Sequence, residues 1–104
     1  MIRKKKINFK RKGKFWAYIL ECADSTFYTG YTSDLQKRVD LHNAGKGAKY
    51  TRGRGPVKLV WSKEYRQSKS ASLTEIRIKE LTRLQKESLV GGKRLDKVLA
   101  EAKK

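Results

Sequence analysis

The run Phe15-Trp16-Ala17-Tyr18-Ile19-Leu20-Glu21-Cys22 constrains this chain more than any other stretch. It is short, rich in aromatic and β-branched residues, and bounded by charge, which predicts a strand. Alternation puts Trp16, Tyr18 and Leu20 on one face and Phe15, Ala17 and Ile19 on the other. Both faces are apolar, so this strand belongs at the centre of a sheet. Ala23-Asp24-Ser25-Thr26 then reads as a turn, and Phe27 to Tyr31 as the second strand of a hairpin. Gly30 inside that strand suggests a bulge or a close backbone approach.

The hairpin feeds a helix. Ser33 has Gln36 three residues on, the capping-box spacing, so Ser33 is the expected N-cap. Leu35 and Val39 fall on one face of this helix as i and i+4. Arg38 and His42 are also one turn apart, and they lie beside the apolar stripe, at the boundary of core and solvent. The helix is expected to end at Asn43-Ala44-Gly45. A loop rich in Gly and basic residues runs on from Gly45 to Pro56. Its glycines free the backbone to approach a ligand, and Lys46, Lys49, Arg52 and Arg54 supply charge for phosphates, with Tyr50 among them. The GxxxxGK[ST] spacing of a nucleotide-binding loop is absent.

Val57 to Tyr65 alternates as a third strand. A helix starts at Ser68 or Ser70 and runs to about Thr82, with Ala71, Thr74, Ile78 and Leu81 as its buried stripe. Glu75 borders that stripe, one turn before Lys79. Thr82 and Gln85 repeat the capping-box spacing and open a helix to about Val90, ended by Gly91-Gly92. Leu95, Val98 and Leu99 give a last amphipathic helix. The order ββαβαα plus a tail helix predicts a small α/β domain, a three-stranded sheet flanked by helices. The expected organisation is a basic flexible arm over residues 1–14, the domain over 15–90 and the tail helix over 91–104.

At 104 residues, one domain is the natural size. The chain has 27 Lys and Arg against 10 Asp and Glu, a formal net charge of +17. That excess predicts attraction to polyanions, with nucleic acid as the expected partner. Neither a long apolar run nor a basic amphipathic helix with an aromatic face supports a membrane. The basic N-terminus is not followed by the apolar segment of a secretory signal, so a cytoplasmic setting is expected. The single cysteine, Cys22, excludes an intramolecular disulfide and a cysteine-built zinc site, and reads as a packed strand thiol.

Tyr18, Tyr28, Arg38, His42 and Glu75 are the polar residues that could share one cleft. One carboxylate can hold a divalent cation whose shell is completed by water. An arginine can stabilise charge on a pentavalent phosphate. A Tyr or a His can relay a proton from an attacking water. Each residue also has a plainer reading: strand aromatics, a histidine packed near a helix end, one of many solvated cations, and an i, i+4 ion pair of Glu75 with Lys79.

Residues 16–90 resemble a GIY-YIG endonuclease domain. The first signature tyrosine matches Tyr18 within Trp16-Ala17-Tyr18-Ile19-Leu20, and the second signature matches Tyr28-Thr29-Gly30. The family's helix arginine matches Arg38, its histidine His42 and its metal-binding glutamate Glu75. The particular form is similar to the small stand-alone bacterial members and to the nuclease domain of eukaryotic structure-specific endonuclease subunits. Two departures sit at backbone positions: Trp16-Ala17 replace Gly-Ile, and Thr29 replaces Ile. The resemblance implies metal-dependent hydrolysis of DNA phosphodiester bonds, in repair or recombination. Glu75 would hold Mg²⁺ or Mn²⁺, Arg38 would bind the scissile phosphate, and Tyr18 would act on the nucleophilic water, helped by His42 and Tyr28. Which group takes the proton stays open, because an unperturbed tyrosine (pKa about 10) is a poor base at neutral pH. A non-catalytic basic nucleic-acid-binding module on the same fold is the alternative. No separate specificity domain is visible, so a protein partner supplying specificity is a further expectation.

Overall fold

The computed structural model describes residues 14–102. Of the expected basic arm only Lys14 falls among them; the rest lies outside the described residues. The elements are β1 (Phe15–Glu21), β2 (Phe27–Thr32), α1 (Leu35–Asn43), a single 3-10 turn (Lys49–Thr51), β3 (Lys58–Tyr65), α2 (Ser68–Lys79), α3 (Arg83–Val90) and α4 (Leu95–Ala102). The sheet is antiparallel with order β2-β1-β3, so the run that is apolar on both faces is indeed the central strand.

Two apolar clusters follow from the alternation along β1. Ile19 packs with Ile78 of α2, Leu81, Leu89 of α3 and Val98 of α4, with Leu95 and Leu99 against them. Tyr18 and Leu20 point the other way, packing with Cys22 and Val57 and flanked by Tyr28, Leu35 and Val39. Ile19, Ile78 and Leu89 are fully buried, each contributing roughly 1.5–3 kcal/mol of transfer free energy. The register places Tyr18 opposite Gly30 and Leu20 opposite Tyr28. Both tyrosines therefore project from the face that carries α1.

Several element boundaries depart from the expected ones. Asp34, not Ser33, caps α1: its carboxylate accepts the Lys37 N–H at 3.1 Å. A carboxylate is the stronger acceptor at the positive end of a helix. Gln36, freed from the predicted box, donates to Asp40 at 3.0 Å. Helix α2 stops at Lys79 rather than near Thr82, because Thr82 is itself the extended N-cap of α3. There the predicted capping box is complete: Thr82 Oγ1 accepts from Gln85 N, and the Gln85 side chain accepts from Thr82 N. Val57 is buried but precedes β3, held by a two-way bond in which Asn43 Oδ1 accepts its N–H at 2.7 Å and Asn43 Nδ2 donates to its carbonyl at 3.2 Å. That pair closes the base of the Gly-rich loop against the end of α1. Among the described residues, no helix is long and apolar enough to cross a membrane.

Candidate active site

Tyr18 and His42 meet in the interior. Tyr18 Oη and His42 Nε2 are 3.0 Å apart, and each residue is only 2% exposed. The helical pattern put His42 at the core boundary; the loop after α1 folds back over it and buries it. Gly47 makes this possible, since a Cβ there would collide with His42 Nδ1 itself and lie 2.9 Å from its Cα. On the far side of the ring, Nδ1 lies 2.7 Å from Thr51 Oγ1. Tyr28 leans on the same imidazole, with ring centroids 5.1 Å apart.

Gly30 explains how the Tyr18 phenol reaches α1. A Cβ at Gly30 would lie 2.6 Å from Tyr18 Oη, so the hydroxyl passes directly over the bare backbone of β2. Of the two expectations for Gly30, the close approach is the one realised. The register irregularity lies instead between Ile19 and Leu20, on the β3 side of β1.

Arg38 and Glu75 approach the phenol from different helices. Arg38 is half-buried on α1, and its charge acts on both Tyr18 and His42. Glu75 comes from α2, which supplies Ile78 to the opposite face of the sheet, yet its carboxylate also acts on Tyr18. The Glu75 side chain is 15% exposed and pairs with Lys79 Nζ at 3.2 Å. Burial, with the Tyr28 phenol and the Glu75 carboxylate adding, pushes Tyr18 well above the ordinary tyrosine range, while Arg38 opposes. Burial and then the Arg38 charge hold His42 below its ordinary value. Tyr18 is thus kept as a phenol and His42 as a neutral imidazole at pH 7.

The basic loop divides. Lys46, Lys49 and Arg52 are exposed. Arg54 is engaged within the fold: Nη1 donates to Asp24 at 2.6 Å, its guanidinium lies 4.4 Å over the Tyr50 ring, and its carbonyl accepts from Ala23 N–H at 2.8 Å. Tyr50 in turn stacks on Tyr28 at 5.9 Å. Sequence reasoning missed Thr51, Gly47 and Asp24 as neighbours of the site. Gly47 and Thr51 reach His42 through the folded-back loop, Thr51 from nine residues away, and Asp24 reaches Arg54 from thirty residues away; only the glycine-rich composition of the loop hinted at close packing.

A three-stranded antiparallel sheet carrying these tyrosines over one helix defines the class. The chain belongs to the GIY-YIG catalytic domain family, whose model matches residues 14–88. It is similar to small proteins designated UPF0213. One, from Halobacterium salinarum, is 56% identical over 72 residues, covering 69% of this chain and 94% of the relative. Another, from Clostridium perfringens, is 51% identical over 78 residues, covering 75% of this chain and 84% of that protein. Among solved structures, the solution structure of the UPF0213 protein BH0048 from Bacillus halodurans matches with TM-score 0.51 and 44% identity. It covers 84% of this chain and 93% of that one. The solution structure of the protein EF2693 from E. faecalis matches with TM-score 0.52 and 38% identity, covering 75% of this chain and 83% of that one.

Proposed function

We propose that the protein is a divalent-metal-dependent endonuclease that hydrolyses DNA phosphodiester bonds, acting in repair or recombination in the cytoplasm. One observation carries the reading: a buried Tyr18–His42 contact lies within electrostatic reach of both a cation, Arg38, and a carboxylate, Glu75. Among the described residues, no group of three or more His, Cys, Asp or Glu side chains could cage a metal. Glu75 fits the lighter demand of Mg²⁺ or Mn²⁺, which one carboxylate can hold with waters and substrate phosphate completing the shell, the cation taking the place of the Lys79 ammonium now 3.2 Å from Oε2. Bound there, the cation would neutralise charge developing on the leaving oxygen.

The chain's own residues supply the rest. Arg38 binds the scissile phosphate and stabilises its added charge. Tyr18 holds the attacking water and, as a phenol with a raised pKa, does not wait as phenolate; it relays. The water oxygen attacks phosphorus as the bond to the leaving oxygen breaks. The water's proton passes to Tyr18 Oη while the Tyr18 proton passes to His42 Nε2, 3.0 Å away. His42 suits the acceptor's place because it is neutral at pH 7, and its depressed pKa returns the proton readily. Tyr28 packs the imidazole from the side and keeps water off it. Lys46, Lys49 and Arg52 track the phosphate backbone, and a protein partner supplies substrate choice.

The test is cleavage of a panel of labelled single-stranded, flapped, branched and duplex DNAs by the purified protein, with Mg²⁺ and with chelator. Metal-dependent cuts on at least one structure are expected. Binding without cleavage of any of them would leave the non-catalytic binding module.

A further inference from the structure

We propose that Thr51 is a positioning residue that fixes the tautomer of His42, keeping the proton on Nδ1 so that Nε2 presents a bare lone pair to Tyr18. This rests on the nuclease reading for its catalytic consequence, but not for the tautomer itself.

Four polar contacts bear on the imidazole and its neighbours. Tyr18 Oη lies 3.0 Å from Nε2, Thr51 Oγ1 2.7 Å from Nδ1, Ala48 N 3.4 Å from Nδ1, and Thr51 Oγ1 donates to the Ala48 carbonyl at 3.0 Å. A neutral imidazole has one donor and one acceptor nitrogen, and a hydroxyl has one proton to give. Suppose the proton is on Nδ1. Then Nδ1–H donates to Thr51 Oγ1, the Thr51 proton goes to the Ala48 carbonyl, and the Tyr18 proton goes to Nε2. The three shorter contacts are all satisfied, and the cost is the long 3.4 Å bond, whose part-buried Ala48 N–H then faces Nδ1–H and loses its acceptor.

Suppose instead the proton is on Nε2. The single lone pair of Nδ1 must then serve both Thr51 and the Ala48 N–H. The Ala48 carbonyl loses the Thr51 proton. Before substrate and its water arrive, the Tyr18 proton has no acceptor, because Nε2 is the only partner of its hydroxyl among the described residues, and Tyr18 is 2% exposed. A buried donor without a partner is costly, so the first arrangement wins. Thr51 is itself 1% exposed, so water does not compete for its hydroxyl. The loop is shaped to this end: Gly47 passes against the ring where no side chain fits, and the turn Lys49–Thr51 brings the hydroxyl back to Nδ1. The logic is that of a third group orienting a catalytic histidine, here supplied by a neutral hydroxyl rather than a carboxylate.

His42 is the only histidine, so its ring nitrogens can be read in ¹⁵N-labelled full-length protein by long-range ¹⁵N–¹H correlation. In the wild type, above the histidine titration, Nδ1 is expected to carry the proton and Nε2 to resonate as an unprotonated nitrogen. Thr51→Val should shift the tautomer towards Nε2–H and lower kcat by about 10²-fold, with KM little changed. Thr51→Ser should keep both the tautomer and most of the rate. A wild-type protein with its proton on Nε2 would overturn the proposal, whether or not Thr51→Val folds. So would a folded Thr51→Val protein with unchanged tautomer and rate. A wild-type protein with Nδ1–H that cuts no DNA would support the tautomer assignment and overturn the nuclease reading instead.

Discussion

Gly30→Ala should separate catalysis from folding at this site. The added Cβ would lie 2.6 Å from Tyr18 Oη, 2.8 Å from Cζ and 3.2 Å from Tyr28 Cε2, where ordinary contact begins near 3.4 Å. The phenol must therefore retreat by roughly 0.8 Å or the strand must bow. Tyr18 has little room to move, being 2% exposed and seated against His42. Overpacking of this kind costs about 1–3 kcal/mol. Replacing a strand glycine by alanine returns about 0.5–1 kcal/mol through backbone entropy, and Gly30 has no positive φ to oppose it. The net loss of stability is then about 0–2.5 kcal/mol. The rate should suffer more, because misplacing a reacting group by about 1 Å can cost about 10²-fold. Gly55→Ala is the matched control, since its nearest neighbour, Asn43 Oδ1, is 4.0 Å from the new carbon. The assays are single-turnover DNA cleavage and urea unfolding of both variants. Gly30→Ala cutting at the wild-type rate, with wild-type stability, would refute the placement of the phenol over β2.

Other consequences are equally direct. Neutralising Lys46, Lys49 and Arg52 together should reduce the slope of log affinity against log salt by about 0.9 per lost duplex phosphate contact. Adding Arg54→Ala should change it little, because Asp24 already holds that guanidinium; an unchanged slope in the triple variant would take the loop off the DNA. His42 faces Tyr18, Tyr28 and Arg38, and its folded pKa lies below 6.5. The stability gained by holding it neutral is fully present above pH 6.5 and is lost as pH falls from there towards the folded pKa. The acid limb of kcat/KM should accordingly fall below pH 6.5, and a limb at or above that value would contradict a depressed His42. The buried Thr29 hydroxyl has no hydrogen-bond partner among the described residues. Thr29→Val should therefore raise the urea midpoint, by about 1 kcal/mol in stability, and a lowered midpoint would mean the hydroxyl is bonded after all.

The sequence made the local rules legible. Alternation along Phe15 to Leu20 gave the central strand and sorted Tyr18 from Ile19, because burial on both faces of a sheet leaves a period of two. Helical spacing put Arg38 and His42 on one side of α1, and the Thr82–Gln85 box was visible because both partners are close in sequence. Where two local signals compete, local pattern alone does not choose between them. Ser33 and Asp34 are both good caps, and the charge-assisted bond decided between them. Contacts closed by the fold were out of reach. The Arg54–Asp24 ion pair is invisible in the sequence because its partners lie thirty residues apart. A helical wheel leaves His42 half-exposed, because nothing in it shows the Gly47–Thr51 segment folding back over the ring.

The most direct test of the central claim is Glu75→Ala, measured against wild type for DNA cleavage with Mg²⁺ and for binding to the same DNA. Among the described residues, Glu75 is the one carboxylate whose charge reaches the Tyr18 phenol, and its loss leaves the +17 field nearly intact. Metal binding by Glu75 predicts that cleavage is abolished while binding survives or improves. Cleavage by Glu75→Ala at the wild-type rate would contradict it, removing Glu75 from the metal site and with it the proposed division of labour among these five residues.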